Sequence, residues 1–186
     1  MAIRWRQRHR RRQPRVCCVA FAALTLLCAP PASAQDPPPA SFVSDIVKGV
    51  LFDPTTYAPA MVSYGATRLD WESSQVFFHL GFVEHNARFT ASAVSDSAAM
   101  SRGAGNRQIA TDSLGILLRL SVAHNLTERV IERALVHRYP THRKLLRAVG
   151  LVERIAVASY LSMALSERHI RQWQQNERLA RQLGYK

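Results

Sequence analysis

The chain has 186 residues, 25 Lys+Arg against 13 Asp+Glu, and a formal net charge of +12. That excess does not announce a nucleic-acid binder: 7 of the basic residues and none of the acidic ones fall in residues 1–34, which leaves 18 minus 13, or +5, for the remainder. All three cysteines, Cys17, Cys18 and Cys28, lie in the same opening segment, so the rest of the chain has neither a disulfide framework nor a cysteine nucleophile.

Residues 1–34 read as an export signal. Arg4, Arg6, Arg8, Arg10, Arg11, Arg12 and Arg15 form a basic head, an apolar stretch runs from Val16 to Ala29, and Ala32-Ser33-Ala34 precedes Gln35 as a small-x-small cleavage pattern. The apolar run of 14 residues is shorter than the roughly 20 a spanning helix needs, so cleavage is expected rather than an uncleaved anchor. The protein is therefore expected outside the cytosol, periplasmic or associated with an envelope membrane. The use of 22 arginines against three lysines points to a GC-rich bacterial source.

Residues 35–40, with Pro37-Pro38-Pro39, read as a stiff spacer before a single α-helical domain over 41–186. Ser41 is expected to cap a short helix ending near Leu51, with Phe42, Ile46, Val50 and Leu51 on one side; Asp53-Pro54 breaks it. A second helix is expected from Thr55 or Thr56 to Phe82, with Pro59 in its first turn and Leu69, Val76, Phe77 and Leu80 on one face. Residues 83–106, rich in Ser and Gly without any period, read as the main loop. Helical periodicity returns at Gln108, Asn125 with Glu128 has capping-box spacing, and Pro140 closes the segment. The last helix, Thr141 to Gly184, carries Leu146, Val149, Val152, Ala156, Tyr160, Met163, Ile170 and Trp173 at three- and four-residue spacing. The expected fold is an all-α bundle of about four helices.

Three groups of residues carry candidate chemistry. Asp70, Ser74, Gln75, Glu84 and Asn86, with Ser73 and Gly81 among them, form a polar cluster amid Trp71, Phe77 and Phe78; it reads either as interhelical hydrogen bonds or as a polar cleft. Arg138, His142, Arg143, Lys144 and Arg147 crowd the start of the last helix, where the positive dipole end disfavours cations and an anion would relieve the conflict. His124, Glu128 and Glu132 share one helical face, but Arg129 can pair with Glu132, so no metal or other cofactor is assigned. Arg119, Arg147, Glu153 and Arg154 interrupt apolar helices and either reach solvent along their stems or pair between helices, Arg119 with Glu153 being the expected pair.

The residues Leu69-Asp70-Trp71-x-Ser73-Ser74-Gln75-x-Phe77-Phe78, Gly81-Phe82-x-Glu84-x-Asn86 and Arg138-Tyr139-Pro140-x-His142-Arg143-Lys144-Leu145, with Ala158-Ser159-Tyr160, resemble an uncharacterised family of exported or membrane-associated bacterial helical proteins. The resemblance covers most of the chain after the leader and implies no activity. The Asp, hydroxyl, Gly and Glu-x-Asn order also resembles small multi-helix membrane proteins, in which a Pro follows the Asn where this chain has Ala87.

There is no Gly-x-Ser-x-Gly elbow, His-Glu-x-x-His or phosphate loop in the sequence. Residues 35–125 carry 6 basic and 8 acidic groups, and residues 126–186 carry 12 and 5, a net +7. The leading expectation is an exported, non-catalytic helical protein whose basic C-terminal half contacts anionic lipid or an envelope polymer, and not nucleic acid. Two alternatives stand beside it: a small integral membrane bundle with a polar interior, and a hydrolase-like enzyme using Asp70 and Glu84.

Overall fold

In this computed structural model the described residues are 39–185; the expected leader and residues 35–38 of the spacer lie outside them. The helices are α1 (Pro39–Leu51), α2 (Pro54–His79), α3 (Arg102–Ala110), α4 (Leu118–Arg138) and α5 (Arg143–Gln182). Among the described residues no strand forms, so the all-α expectation holds. The three long helices are α2, α4 and α5, and α1 is a short helix of 13 residues that packs on α4.

Local chemistry sets most boundaries. Asp53 breaks α1 from α2, as expected, and also caps α2: its Oδ1 accepts from Thr55 N at 3.0 Å and Thr55 Oγ1 at 2.7 Å, with Pro54 at the first helical position. Because α2 starts at Pro54, Pro59 sits inside the helix rather than in its first turn, and its ring is fully buried. The helix ends before the expected Phe82. Gly81 takes φ +86, Phe82 N donates back to Phe77 O at 3.0 Å, and the Phe77 and Phe82 rings meet at 5.8 Å, a Schellman ending with its usual apolar contact. The same device ends α5, where Gly184 has φ +78 and Tyr185 N donates to Ala180 O.

The expected loop is shorter and more structured than its composition suggests. Asn86 caps a 3₁₀ turn over Ala87–Phe89, Glu84 and Thr90 pair by single bridges with Ser97 and Ala99, and Phe89 is buried against Trp71 at 5.4 Å. Ser101 then caps α3, which begins at Arg102 rather than Gln108. Gly105 belongs to this helix: a Cβ there would lie 2.2 Å from Trp71 Cζ2, so only glycine lets α3 lie against the indole. Trp71 Nε1 donates to Arg102 O at 3.3 Å, and Ile109 completes the aromatic core.

A π-helical segment, Thr111–Leu117, joins α3 to α4 without a break. Its wider winding rotates the faces that follow, so one stripe at 3.6 residues does not stay on one side of this stretch. The capping-box spacing of Asn125 and Glu128 does not start a new helix here. Asn125 lies inside α4, buried, and donates through Nδ2 to Thr55 Oγ1 at 3.0 Å and Thr56 Oγ1 at 2.7 Å.

The contacts fix the directions of the helices. Asp45 meets Arg133, Asp53 meets Arg129 and Thr56 meets Asn125, so α1 and α2 follow one another antiparallel to α4. Asp53 meets Arg154, Asp70 meets His169 and Ser74 meets Asn176, so α2 and α5 run parallel. At 40 residues, α5 is about 60 Å long and reaches along the other two.

Candidate functional site

The interior changes character along that length. Around Trp71 it is aromatic, with Phe78, Phe89, Ile109 and Met100 packed together. Towards the α1–α2 corner charged groups are enclosed beside Ile46 and Val50. Arg129 Nη2 donates to Asp53 Oδ2 at 2.7 Å, Arg154 Nη1 donates to Glu132 Oε2 at 2.8 Å, and Arg154 Nε lies 3.2 Å from Asp53 Oδ2. The side chains of Asp53 and Arg154 are 6% and 5% exposed, so these are enclosed ion pairs. Two arginines against two carboxylates make the network formally neutral, the condition under which buried charge is tolerated. Glycines provide the space: a Cβ on Gly49 would lie 2.7 Å from Arg129 Nη1, and one on Gly150 would lie 2.6 Å from Glu132 Oε2.

The expected polar cluster divides into two. Asp70 Oδ2 lies 2.8 Å from His169 Nδ1 on α5, and Asn176 Nδ2 donates to Ser73 Oγ at 3.0 Å and to Ser74 Oγ at 2.8 Å. These are the interhelical hydrogen bonds of the sequence reading, completed by His169 and Asn176, whose partnership nothing in a linear reading reveals. Gln75 is turned back onto its own helix at Trp71 O. Glu84 accepts from Asn86 N at 2.7 Å and Asn86 accepts from Arg88 N, so this pair shapes the turn after α2.

Of the expected anion-binding residues, His142, Arg143, Lys144 and Arg147 are exposed, and the guanidinium of Arg138 stands 5.8 Å from the Tyr139 ring centroid. His142 precedes α5 without capping it by its side chain. Arg143 and Arg147 line a groove with Phe42, Asp45 and Arg133.

The charged residues within the apolar helices pair differently from the expectation. Glu153 faces His124, with Nε2 to Oε1 at 3.4 Å, rather than Arg119. His124 and Glu128 share a face as expected, but their third neighbour is Glu153 of α5; Glu132 is taken by Arg154. Sequence spacing sees only one helix, and both partners come from another.

At the far end Glu72 accepts from Arg68 and Arg102. Burial alone pushes its carboxyl up, but the hydrogen bonds and charges of the two guanidinium groups outweigh that and hold it below the ordinary carboxylate range.

The outer surface reverses the interior. In α5 the enclosed residues are Arg154, Ala158, Ser166, Asn176 and Ala180, while Val149, Val152, Tyr160 and Met163 of the expected packing stripe are 57–70% exposed. Leu120 and Ile131 on α4 and Met61 and Val62 on α2 also face outward. Among the described residues one helical run, Pro140–Gln182, is long and apolar enough to cross a membrane, and 11% of its most apolar 18-residue window is buried. Between Arg147 and Glu167 the only charged residues are Glu153 and Arg154, both directed at α4 partners.

Compared with known proteins, the chain matches no family model, no curated protein and no solved structure.

Proposed function

We propose that this chain is a non-catalytic envelope protein held in a membrane by residues 148–166 of α5, with its charged network turned away from lipid. The observation that carries the reading is the inverted α5: polar and small residues inside, apolar residues outside, with 11% of the apolar window buried. A soluble helix core is enclosed on its apolar side; this one is not. Residues 148–166 number 19 and rise about 28 Å, close to the roughly 30 Å of a bilayer's hydrocarbon core.

The basic residues fit the same placement. Arg143, Lys144 and Arg147 directly precede this stretch, and Arg168 and Arg171 follow it. Exposed cations at both edges of an apolar helix sit at headgroup depth, where each contributes about 1 kcal/mol with anionic lipid. The expected anion contact thus becomes a lipid-headgroup contact, joined to an apolar anchor instead of replacing one. Export by the N-terminal segment agrees with an envelope location. The polar interior over α2, α4 and α5 then keeps three helices in register where lipid offers no hydrophobic drive between them.

Alkaline carbonate extraction of membranes from cells making the full chain tests this. Retention in the pellet is expected. Release into the supernatant overturns the anchor and returns the protein to the peripheral reading. As a second arm, R143Q/K144Q is expected to weaken binding to phosphatidylglycerol vesicles while leaving neutral vesicles unaffected.

A further inference from the structure

Next to the neutral ion-pair network lies a cluster that is not compensated. His124 and Glu128 stand one turn apart on α4, and Glu153 reaches them from α5. One ligand atom from each lies within 4.8 Å of the other two. With a neutral imidazole and both carboxyls ionised the group carries two negative charges. The arginines of the adjoining network are already engaged: Arg129 with Asp53, and Arg154 with Asp53 and Glu132. His124 Nε2 and Glu153 Oε2 are buried atoms without a hydrogen-bond partner, although the side chains as wholes are 34% and 31% exposed. Two carboxylates and an imidazole nitrogen thus converge between two helices, with donor capacity unused and charge unbalanced.

We propose that His124, Glu128 and Glu153 form a site for one divalent transition-metal ion of the zinc class. The donor set decides the class. Zinc accepts imidazole nitrogen and carboxylate oxygen at about 2.0–2.2 Å, and bonds of that length bring ligand atoms to about 3–3.5 Å of one another. The His124–Glu153 distance of 3.4 Å is already there. A nitrogen ligand counts against magnesium and calcium, which take oxygen. A cation supplies the charge missing from the cluster, and its bonds tie α4 to α5 beside the neutral network. Sites built from Glu and His on facing helices are an established use of bundle interiors. The site depends only on the α4–α5 pairing, so it stands whether or not residues 148–166 lie in lipid.

The test uses the full chain purified in mild detergent, stripped with chelator and titrated with zinc chloride, followed by calorimetry and by thermal unfolding of the helical circular dichroism. Expected are one zinc per chain, a rise in the midpoint that chelator reverses, and at least a tenfold loss of affinity in H124Q and in E153Q. E153Q also separates ligation from simple structural damage. Removing one of two facing carboxylates leaves the metal-free midpoint unchanged or higher, yet abolishes the zinc-induced rise. H85Q, in the exposed His85–Asp96 pair of the turn after α2, leaves zinc affinity as in the parent. Three results each overturn the proposal: no stoichiometric zinc, parental affinity in folded E153Q and H124Q, or a magnesium-induced shift equal to that of zinc.

Discussion

Around Trp71 the fold encloses rings and directs charges such as Arg102 outward, whereas around Arg154 it encloses guanidinium and carboxylate groups and directs Val149, Val152 and Ile155 outward. The same α5 runs beside α2 at both levels, through Asp53–Arg154 and Ser74–Asn176, so helix propensity does not explain the difference. At the aromatic end, packing against Gly105 brings α2 and α3 into contact, and burial of apolar area supplies the stability. At the charged end Ile46, Val50 and Ala60 are enclosed as well, and paired charges with asparagine and hydroxyl contacts specify which helix faces which. Such contacts confer register more readily than stability in water. They suit the proposed placement, in which the outer face of this segment is solvated by lipid.

The largest effects should come from breaking each interior in its own way. W71A removes the centre of the aromatic end and should cost about 3–5 kcal/mol of unfolding free energy, read by denaturant titration of the full chain. R154M should cost a similar ~3–5 kcal/mol, because it leaves half-buried Glu132 without its partner and buried Asp53 with Arg129 alone. The two ends should then part company. R154M/E132M, which replaces both charges by apolar groups, should recover most of the loss, while no second substitution opposite W71A removes an uncompensated charge.

A156K, at the exposed ninth of the 19 residues in the proposed span, separates lipid from water on the outer face. At the centre of a spanning helix a lysine costs about 2.5–3.5 kcal/mol of insertion, so carbonate-resistant protein should fall sharply. In a water-facing helix the same change should stay within about 0.5 kcal/mol by thermal unfolding, with no effect on fractionation. N125A deletes two donors shared by Thr55 and Thr56 and should cost about 1–3 kcal/mol, read in the same denaturant titration.

The smallest effect concerns the aromatic end alone. Because the folded-state pKa of Glu72 is depressed, its contribution is present above the unfolded carboxylate pKa and lost as pH falls through the folded value. E72Q should therefore lower the unfolding midpoint near neutral pH by at most about 1 kcal/mol equivalent, and the gap to the parent should narrow on acidification.

How far the chain could be read follows from the range of each interaction. Asp53-Pro54, Gly81, Pro140 and Gly184 act within a few residues, and the helix limits they set lie close to where the sequence places them. Gly103 and Gly105 read as loop residues because a helix seldom tolerates them; the reason one belongs in α3 is the Trp71 ring, 34 positions away in sequence. The α5 stripe of Val149, Val152, Tyr160 and Met163 was legible as a helical face but not as an outward one. A 3.6-residue period reports that two faces differ without saying which is enclosed. The candidate cluster on α4 was half legible, since His124 and Glu128 share a turn, and half hidden, since Glu153 comes from another helix.

The sequence by itself determined the all-α class, the breaks between helices, the absence of cysteine beyond the opening segment and the basic bias of the C-terminal third. These follow from composition and from interactions a few residues long. Only the tertiary structure decided that Arg154 meets Asp53 and Glu132, that Asn125 reaches Thr55 and Thr56, and that the apolar side of α5 looks outward. Those outcomes depend on which helix lies beside which, and helix rotation and neighbours are fixed by the sum of many contacts between the helices rather than by any local run of residues.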